Sequence, residues 1–342
     1  MFKFGIHKKE QLTPGHLEGF FRARKCIALD LYTALDNYPP HDRDRIQERM
    51  LCRFSNKNGT FKYTHARRFE DFDIFAAASV RTAFPPDKEI RVHDMGASDG
   101  RTSCDFYNTL TNIYGPRLKF VGSDYVTCLH VVRRNSSTRR LIVDEREDVL
   151  QIITPPFVFN VIHPENKLLY PLNHLMRYFV NRWYVRPLMR ANKAGDPNVE
   201  RIRVELLCYE CRINCASKDN FRFISYDVFS RPTEHFDVIR AMNVLNLIYF
   251  SREDLMKAIA NIIVSLEEGG LFITGSNLEA GTSVNGAIYK KSGNRLEKVG
   301  VSGYGSQVDD LIKAISGSLA GKTVYEGGVL GVNGTKNWVK VI

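Results

Sequence analysis

The stretch Glu89–Ser103, EIRVHDMGASDGRTS, decides the fold of this chain. A short apolar run ends at Asp94, and small residues with two glycines, Gly96 and Gly100, lead into a polar segment that can open a helix. Glycines permit a tight turn and bring backbone N–H groups close to a ligand, and a helix N-terminus adds partial positive charge. The stretch therefore predicts a ligand-binding loop between a strand and a helix.

The loop has the form D-x-G-x-S-x-G. A dinucleotide-binding loop would read G-x-G-x-x-G, whereas here the carboxylate of Asp94 precedes the first glycine by two positions. A carboxylate in that place can face an ammonium group, which favours the methionine part of S-adenosylmethionine. The alternative interpretation is a surface turn with no ligand.

Short apolar runs continue the pattern along the chain. They read EIRVHDMG, RLKFVGSDY, NFRFISYDVF, FDVIRAMNVL, GGLFITGS and NWVKVI. The best-marked helix follows the fourth run, with Ser251 as its cap and 267–270 as its stop. Strands that alternate with helices predict an α/β fold with a mostly parallel sheet covered on both faces.

Two further acidic residues follow predicted strands. Asp124 ends the second strand, where a carboxylate can accept hydrogen bonds from ribose hydroxyls, and Asp227 ends the third, where it can meet an adenine amino group. The alternative for Asp124 is a cap on the next helix.

These segments, about 88–125 and 220–277, resemble the class I S-adenosylmethionine-dependent methyltransferases and are most similar to their CheR-type group. The resemblance implies a transferase with the Rossmann-like, seven-stranded methyltransferase sheet. It also implies S-adenosyl-L-methionine as cofactor. By that resemblance the cofactor contacts are Asp94, Gly96, Ala97, Ser98, Gly100, Asp124, Tyr125, Asp227, Val228, Asn243 and Val244.

The sequence departs from the CheR-type pattern around the fourth strand. The arginine expected before Asn243 is Met242, and Asn246 and Leu247 are inserted before the following aromatic pair. No counterpart of the CheR N-terminal receptor-binding domain is evident. A chemotaxis substrate is therefore not implied.

The remaining sequence suggests a cap and an insertion around this domain. Residues 1–86 are predicted to form a helical N-terminal cap, including a helix within GHLEGFFRARKCIALDLYTAL, 15–35. Residues 87–342 would form the methyltransferase domain, interrupted at about 126–219 by a basic insertion that shapes the acceptor site. The insertion begins with a predicted hairpin, HVVRRNSSTRRLIV, that carries Arg133, Arg134, Arg139 and Arg140.

Composition sets broad limits. The chain has 342 residues, 44% of them hydrophobic, and a formal charge of +10. Such a charge favours anionic partners. No apolar run approaches the roughly 20 residues that span a bilayer, and seven cysteines do not suggest a disulfide framework. We expect a cytoplasmic protein, with peripheral membrane association as an option.

Two short patterns raise competing chemistries. Thr154–Phe157, TPPF, is similar to the motif of amino-methylating nucleic-acid enzymes and would then end the fourth strand; its threonine lacks the amide or carboxylate oxygen that such a site needs. Cys208, Cys211 and Cys215 form C-x2-C-x3-C and could hold zinc, with His235 as a fourth ligand. Free thiols are the alternative, and no metal is our prediction.

The insertion also contains NHLMRYFVNRWYVRPLMR, 173–190, in which arginines alternate with bulky apolar residues. As a helix it would carry arginines along one side. Three interpretations stay open: ordinary packing over the substrate cleft, contact with a membrane interface or lipid substrate, and contact with RNA.

Methyl transfer is an in-line displacement, so the protein mainly aligns its reactants. A carboxylate acceptor needs no base, whereas a hydroxyl or amine could use His93, His235, Tyr125 or Tyr249. We expect a small-molecule or lipid-like acceptor. The alternatives are a protein-carboxylate methyltransferase, an RNA methyltransferase, and a non-catalytic interaction module.

Overall fold

A computed structural model describes residues 3–4, 28–36, 38–51, 62, 64–155, 157–161, 175, 178–231, 233–277 and 283–320. The strands are β1 Lys3–Phe4, β2 Ile90–Met95, β3 Leu118–Asp124, β4 Cys128–Arg134, β5 Arg140–Asp144, β6 Val149–Thr154, β7 Phe157–Asn160, β8 Val199–Glu205, β9 Phe221–Ser225, β10 Phe236–Met242, β11 Leu266–Ser276, β12 Asn285–Ser292 and β13 Arg295–Ser302. The α-helices are α1 Pro40–Leu51, α2 Glu70–Ala83, α3 Arg101–Tyr114, α4 Arg186–Lys193, α5 Tyr209–Ser217, α6 Arg252–Ser265 and α7 Asp309–Ala320.

The central sheet has seven strands in the order β13-β12-β11-β10-β2-β3-β9. Its five strands from β11 to β9 are parallel, whereas β12 and β13 add an antiparallel meander at one edge. This Rossmann-like sheet confirms the predicted fold class and the first five predicted strands. The sequence interpretation did not include β12 and β13, and the predicted run NWVKVI lies outside the described residues.

Helices cover both faces of the central sheet. Helices α2, α3 and α5 pack on one face, where Phe72 and Phe106 belong to a common buried cluster. Helices α6 and α7 pack on the other through Ile259 and Leu311. Helix α2 thus belongs to the sheet's core although it lies on the cap side of the predicted boundary at 86, and that boundary stays a prediction.

Helix α6 begins as predicted but ends earlier. The Ser251 hydroxyl accepts the N–H of Asp254 at 3.1 Å, which caps the helix. The helix ends at Ser265, and 267–270 already belong to β11. The register between β10 and β11 shifts between Phe236 and Val238, so this stretch forms an irregular strand start and not the predicted stop loop.

The insertion supplies five strands, β4 to β8, of a second sheet whose sixth strand is β1. The sequence interpretation did not foresee this sheet beyond its first hairpin. Its order is β1-β7-β6-β5-β4-β8, and every pairing is antiparallel. The β4–β5 hairpin confirms that part of the prediction. Thr154 and Phe157 face each other where β6 turns into β7, so the interpretation of TPPF as the end of the fourth central strand is wrong; that place belongs to β10.

Alternation along these strands gives the second sheet two apolar faces. Leu129, Val131 and Ile142 pack on the cap side against residues that include Leu35 and Ile46. Their neighbours Val132, Leu141 and Val143 pack on the opposite side against Val185 and Leu188. The sheet is therefore the middle layer of three.

The cap is only partly an α-helical element. Within the predicted helix 15–35, the described part from Ala28 onward forms two 3-10 turns, Leu29–Leu31 and Thr33–Leu35, and the rest lies outside the described residues. Helix α1 follows and buries Ile46 and Met50. No helix in the described part of the chain has both the length and the hydrophobicity to cross a bilayer.

Candidate functional site

A cleft lies where the carboxyl ends of β2, β3, β9 and β10 meet. Open α/β sheets bind ligands at this edge. The structure brings together there most of the predicted cofactor residues. These are Gly96, Ala97, Ser98, Asp124, Tyr125, Asp227, Val228, Asn243 and Val244.

The loop after β2 is held by the neighbouring strand. The N–H of Ala97 donates to the Ser123 carbonyl at 2.9 Å, and the N–H of Ser98 donates to the Asp124 carboxylate at 2.7 Å. Gly96 has φ +69°, and a Cβ there would lie 2.7 Å from the Cβ of Val244. The glycine therefore allows the loop to approach the residues that follow β10.

Gly100 does not line the cleft. It is the N-cap of α3 at φ +81°, and a Cβ there would lie 2.5 Å from the Cys211 sulfur. Its small size is thus required for contact between α3 and α5. The predicted contact of Gly100 with a ligand has no support in this geometry.

The Asp124 carboxylate is buried and already has three donors. Besides Ser98 it accepts from the N–H of Val126 at 3.2 Å and from the ammonium of Lys62. Lys62 is itself buried and also donates to the Ser98 carbonyl at 3.1 Å. A cation from the cap region therefore sits on the carboxylate predicted to bind ribose.

Asp94 is turned away from the cleft into a buried ion pair. Its carboxylate accepts from the Arg240 guanidinium at 2.8 Å and from the Ser103 hydroxyl at 2.7 Å. Arg240 also donates to Asp73 on α2 at 2.8 Å and lies beside the ring of Phe106. Since this carboxylate neutralises Arg240, the structure does not place it for the predicted contact with a ligand's ammonium group.

The Arg240 cluster contains a second carboxylate with unusual titration. Burial raises the pKa of Asp73 to about 7, although the attraction of Arg240 opposes that shift. One oxygen of Asp73 has no hydrogen-bond partner among the described residues. The cluster links α2, β2 and β10 directly beneath the cleft.

Residues after β9 form the apolar end of the cleft. The Asp227 carboxylate accepts the N–H of Phe229 at 3.0 Å, which shapes the turn. Val228 lines this end, and the rings of Phe229 and Phe250 meet edge to face with centroids 4.8 Å apart. The surface is suited to a flat heterocycle.

Asn243 adopts φ +58°, an uncommon conformation for a non-glycine residue. Its side chain exchanges two hydrogen bonds with Asn277 at 2.8 and 3.1 Å. The side-chain amide oxygen of Asn277 also accepts from the Arg68 guanidinium at 3.0 Å. The ends of β10 and β11 are thus joined to the cap side of the cleft.

Of the four candidate proton acceptors, Tyr125, Tyr249, His93 and His235, only one lines the cleft. Tyr125 does, with the Arg146 guanidinium 3.4 Å from its ring centroid. Tyr249 is half-buried beside Phe250, outside the lining. His93 is buried within β2, where its Nε2 lies 2.8 Å from the Ser123 hydroxyl, and burial lowers its pKa to about 3. His93 is therefore placed as a neutral core residue.

The cysteine pattern forms a thiol cluster. Cys208, Cys211 and Cys215 lie on or beside α5, and Cys104 of α3 joins them; contacts with Cys208 and Cys211 lower the pKa of Cys104 to about 5. In the described part of the chain no group of three or more potential ligands is arranged to hold a metal. His235, proposed as a fourth ligand or a base, is exposed at the start of β10, at the opposite end of the strand from the cleft.

Sequence reasoning missed several residues of the cleft. They are Lys62, Thr64, Arg68, Phe69, Thr102, Tyr226, Phe229, Met242 and Phe250. Tyr226 and Phe229 flank the predicted Asp227, so their position was a usable signal. The first four come from the cap side, and no local pattern connects them with the glycine loop.

The sequence matches no family model and no curated protein at a significant level. Solved structures with a similar arrangement include protein-L-isoaspartate O-methyltransferase (12% identity, 69% of this chain and 47% of that one, TM-score 0.30). Magnesium protoporphyrin IX methyltransferase from Synechocystis PCC 6803, solved with bound SAM, is 10% identical over 61% of this chain and 58% of that one, with a TM-score of 0.27. The [4+2]-cyclase SpnF is 13% identical over 59% of this chain and 44% of that one, with a TM-score of 0.26. In each case the match spans less than two thirds of that protein, and the CheR-type resemblance stays a prediction.

Proposed function

We propose that this chain is an S-adenosylmethionine-dependent methyltransferase with a small-molecule or lipid-like acceptor. The observation that supports the proposal most is the convergence of the glycine loop, Asp124, Asp227 and Asn243 in one cleft. They follow four neighbouring parallel strands, β2, β3, β9 and β10. A cofactor with a sugar, a base and a charged tail needs several such contact points along one sheet edge.

The residues of the cleft fit three parts of this cofactor. Asp124 is a buried carboxylate that can accept from ribose hydroxyls, and the wall of Val228, Phe229 and Phe250 can pack on the adenine ring. Arg68 lies in the same lining and can approach the cofactor's carboxylate. Asp94 is not part of the proposal, because its carboxylate is paired with Arg240.

The bound cofactor would supply a methyl group on a positively charged sulfur. The titratable side chains in the described lining are Lys62, Arg68, Asp124, Tyr125, Tyr226 and Asp227, with no histidine or cysteine among them. An acceptor that is already anionic requires no proton acceptor. We therefore propose a carboxylate oxygen as the atom methylated; a protein carboxylate, as in the CheR-type group, is the alternative.

Calorimetric titration with S-adenosylmethionine and S-adenosylhomocysteine tests the cofactor. We expect roughly micromolar binding that Asp124→Ala weakens about ten- to hundredfold, because two ribose hydrogen bonds to a charged acceptor are lost. Asp310→Ala, which removes an exposed carboxylate on α7, is the matched control and should change nothing.

Val228→Trp is a second variant for the same titration, because it fills the apolar end of the cleft and leaves every charged side chain in place. Folding of each variant is verified by its thermal transition. Folded wild-type protein that binds neither ligand would overturn the proposal and favour a non-catalytic interaction module.

The acceptor chemistry has its own test. Incubation with methyl-tritiated S-adenosylmethionine and an acidic metabolite and lipid extract should yield label that mild alkali releases as methanol, because carboxyl methyl esters hydrolyse under these conditions. Alkali-stable label would exclude a carboxylate acceptor while leaving methyl transfer intact.

A further inference from the structure

A helical segment on the outer side of the second sheet carries a surface that the methyltransferase proposal does not use. We call residues 175–193, so far as the structure describes them, the insertion helix; it comprises a π-helical turn, Asn181–Val185, followed by α4. Val185 and Leu188 attach it to the sheet by packing against Val132, Leu141 and Val143. Val180, Tyr184 and Met189 also pack against this cluster, and the rest of the helix circumference faces away from the sheet.

An apolar stripe runs along that circumference. Leu175, Phe179 and Trp183 follow one another at four-residue spacing and are 53%, 47% and 74% exposed. Tyr178, 59% exposed, extends the stripe and meets the ring of Phe179 edge to face at 5.7 Å; Phe179 meets Trp183 in the same manner at 6.3 Å. Large apolar side chains grouped in this way on a surface are typical of an interaction site.

A basic stripe lies beside the apolar one. Arg182, Arg186 and Arg190 also repeat every four residues, and all three are exposed. No carboxylate within the described ranges pairs with any of them, and the sequence 175–195 contains no acidic residue. Arg134 and Arg139 of the β4–β5 hairpin act electrostatically on Tyr184, which places further positive charge next to the helix.

We propose that the insertion helix docks on an anionic lipid bilayer. The exposed rings would enter the headgroup region while the arginines contact lipid phosphates and carboxylates, as expected for an amphipathic helix lying in a membrane interface. The chemistry favours lipid over nucleic acid because the rings meet each other edge to face on a convex helix, without a groove for a strand. The surface lies on the side of the second sheet opposite the cap, so docking does not depend on the proposed cofactor site.

Flotation with vesicles tests the proposal on the full chain. We expect binding to phosphatidylcholine vesicles containing 30 mol% phosphatidylserine, little binding to pure phosphatidylcholine, and loss of binding in high salt. Arg182→Glu with Arg186→Glu, and separately Trp183→Ala, should each reduce partitioning about tenfold or more. The matched controls Arg295→Glu on β13 and Tyr304→Ala, whose ring is 98% exposed, should leave it unchanged.

Tryptophan fluorescence gives an independent readout. The chain has two tryptophans, so Trp338→Phe leaves Trp183 as the single tryptophan reporter. Its emission should shift to shorter wavelength when phosphatidylserine vesicles are added.

Absence of vesicle binding at low salt, or binding that persists in both insertion-helix variants, would overturn the proposal. Tighter binding to single-stranded RNA than to vesicles would overturn it in favour of a nucleic-acid surface. Calorimetric titration of the same variants with S-adenosylhomocysteine should be unchanged, which separates a failure of docking from a failure of cofactor binding.

Discussion

Lys62 determines what a ligand must displace to reach Asp124. Its ammonium contacts the Asp124 carboxylate and the Ser98 carbonyl, so it occupies acceptors that ribose hydroxyls would use. We predict that Lys62→Met tightens S-adenosylhomocysteine binding about three- to tenfold in calorimetry, because the competing cation is removed. Lys88→Met removes another lysine–aspartate pair, with Asp237, in which the lysine is more exposed; it lies outside the cleft and should have no effect. Weaker binding in Lys62→Met would mean that the lysine holds the cofactor instead.

His93 should make stability depend on pH. The unfolded chain takes up a proton at this site below about pH 6.5, whereas the folded protein resists protonation until about pH 3. The free energy of unfolding therefore decreases as the pH falls from 6.5 toward 3, by up to about 1.4 kcal/mol per pH unit from this residue alone. The difference in the free energy of unfolding between wild type and His93→Gln, measured by urea denaturation at several pH values, should follow this slope. The opposing contribution of Asp73, whose pKa is raised in the folded protein, is common to both proteins and cancels in the difference. Parallel profiles would contradict the prediction.

The contrast between Asp124 and Asp94 shows what sequence could predict at this scale. Asp124 ends a strand next to the glycine loop, and that local relation is visible in the sequence. The partner of Asp94 is Arg240, 146 positions away, and the second carboxylate on that arginine, Asp73, comes from helix α2. Such pairing depends on tertiary packing, so the sequence could not show that this carboxylate neutralises Arg240, and its contact with a ligand stays a prediction.

At the scale of elements, the start of α3 depends on the absence of a side chain at Gly100. An alanine there would have to adopt φ +81° and would meet the Cys211 sulfur. We predict that Gly100→Ala lowers the free energy of unfolding by about 2–4 kcal/mol, combining left-handed strain with overpacking. Gly195→Ala, at φ +69° with open space around it, isolates the strain alone and should cost about 1 kcal/mol. Equal losses of unfolding free energy in the two variants, measured by chemical denaturation, would show that the contact with α5 adjusts to the added methyl group at no cost.

Elements with a single strong local pattern could be predicted, and the others could not. Strand β10 is buried along its whole length, and α6 has both a cap and an apolar face. Strands β12 and β13 carry many charged residues because one face is solvated, and their turn at Gly293 was the main available signal. In the second sheet, β1 pairs with β7 and β4 pairs with β8 across long stretches of chain, and such pairings leave no local pattern in the sequence.

For the whole molecule, the attachment of the cap to the second sheet combines apolar packing with one half-buried ion pair. Arg140 on β5 donates to both oxygens of Asp30 at 2.8 and 3.2 Å. We predict that Arg140→Ala costs about 1–2 kcal/mol and raises amide hydrogen exchange in 28–36, since a bidentate, partly desolvated pair is lost. Arg133→Ala, which removes a more exposed pair with Glu200, should cost under about 1 kcal/mol and leave that exchange unchanged. Equal exchange in the two variants would contradict the prediction.

The second sheet leaves the central domain at nearly the same point where it enters. Strands β4 and β8 pair from Cys128 and Glu205 onward, and the N–H of Leu206 donates to the Thr127 carbonyl at 2.9 Å. Because the two junctions already touch, replacement of everything between them imposes no new loop closure on β3 and β9. Recombination at the codons for Thr127 and Leu206 would therefore exchange the insertion as a cassette. A substitute would have to reproduce the cap-facing apolar side and the edge that pairs with β1.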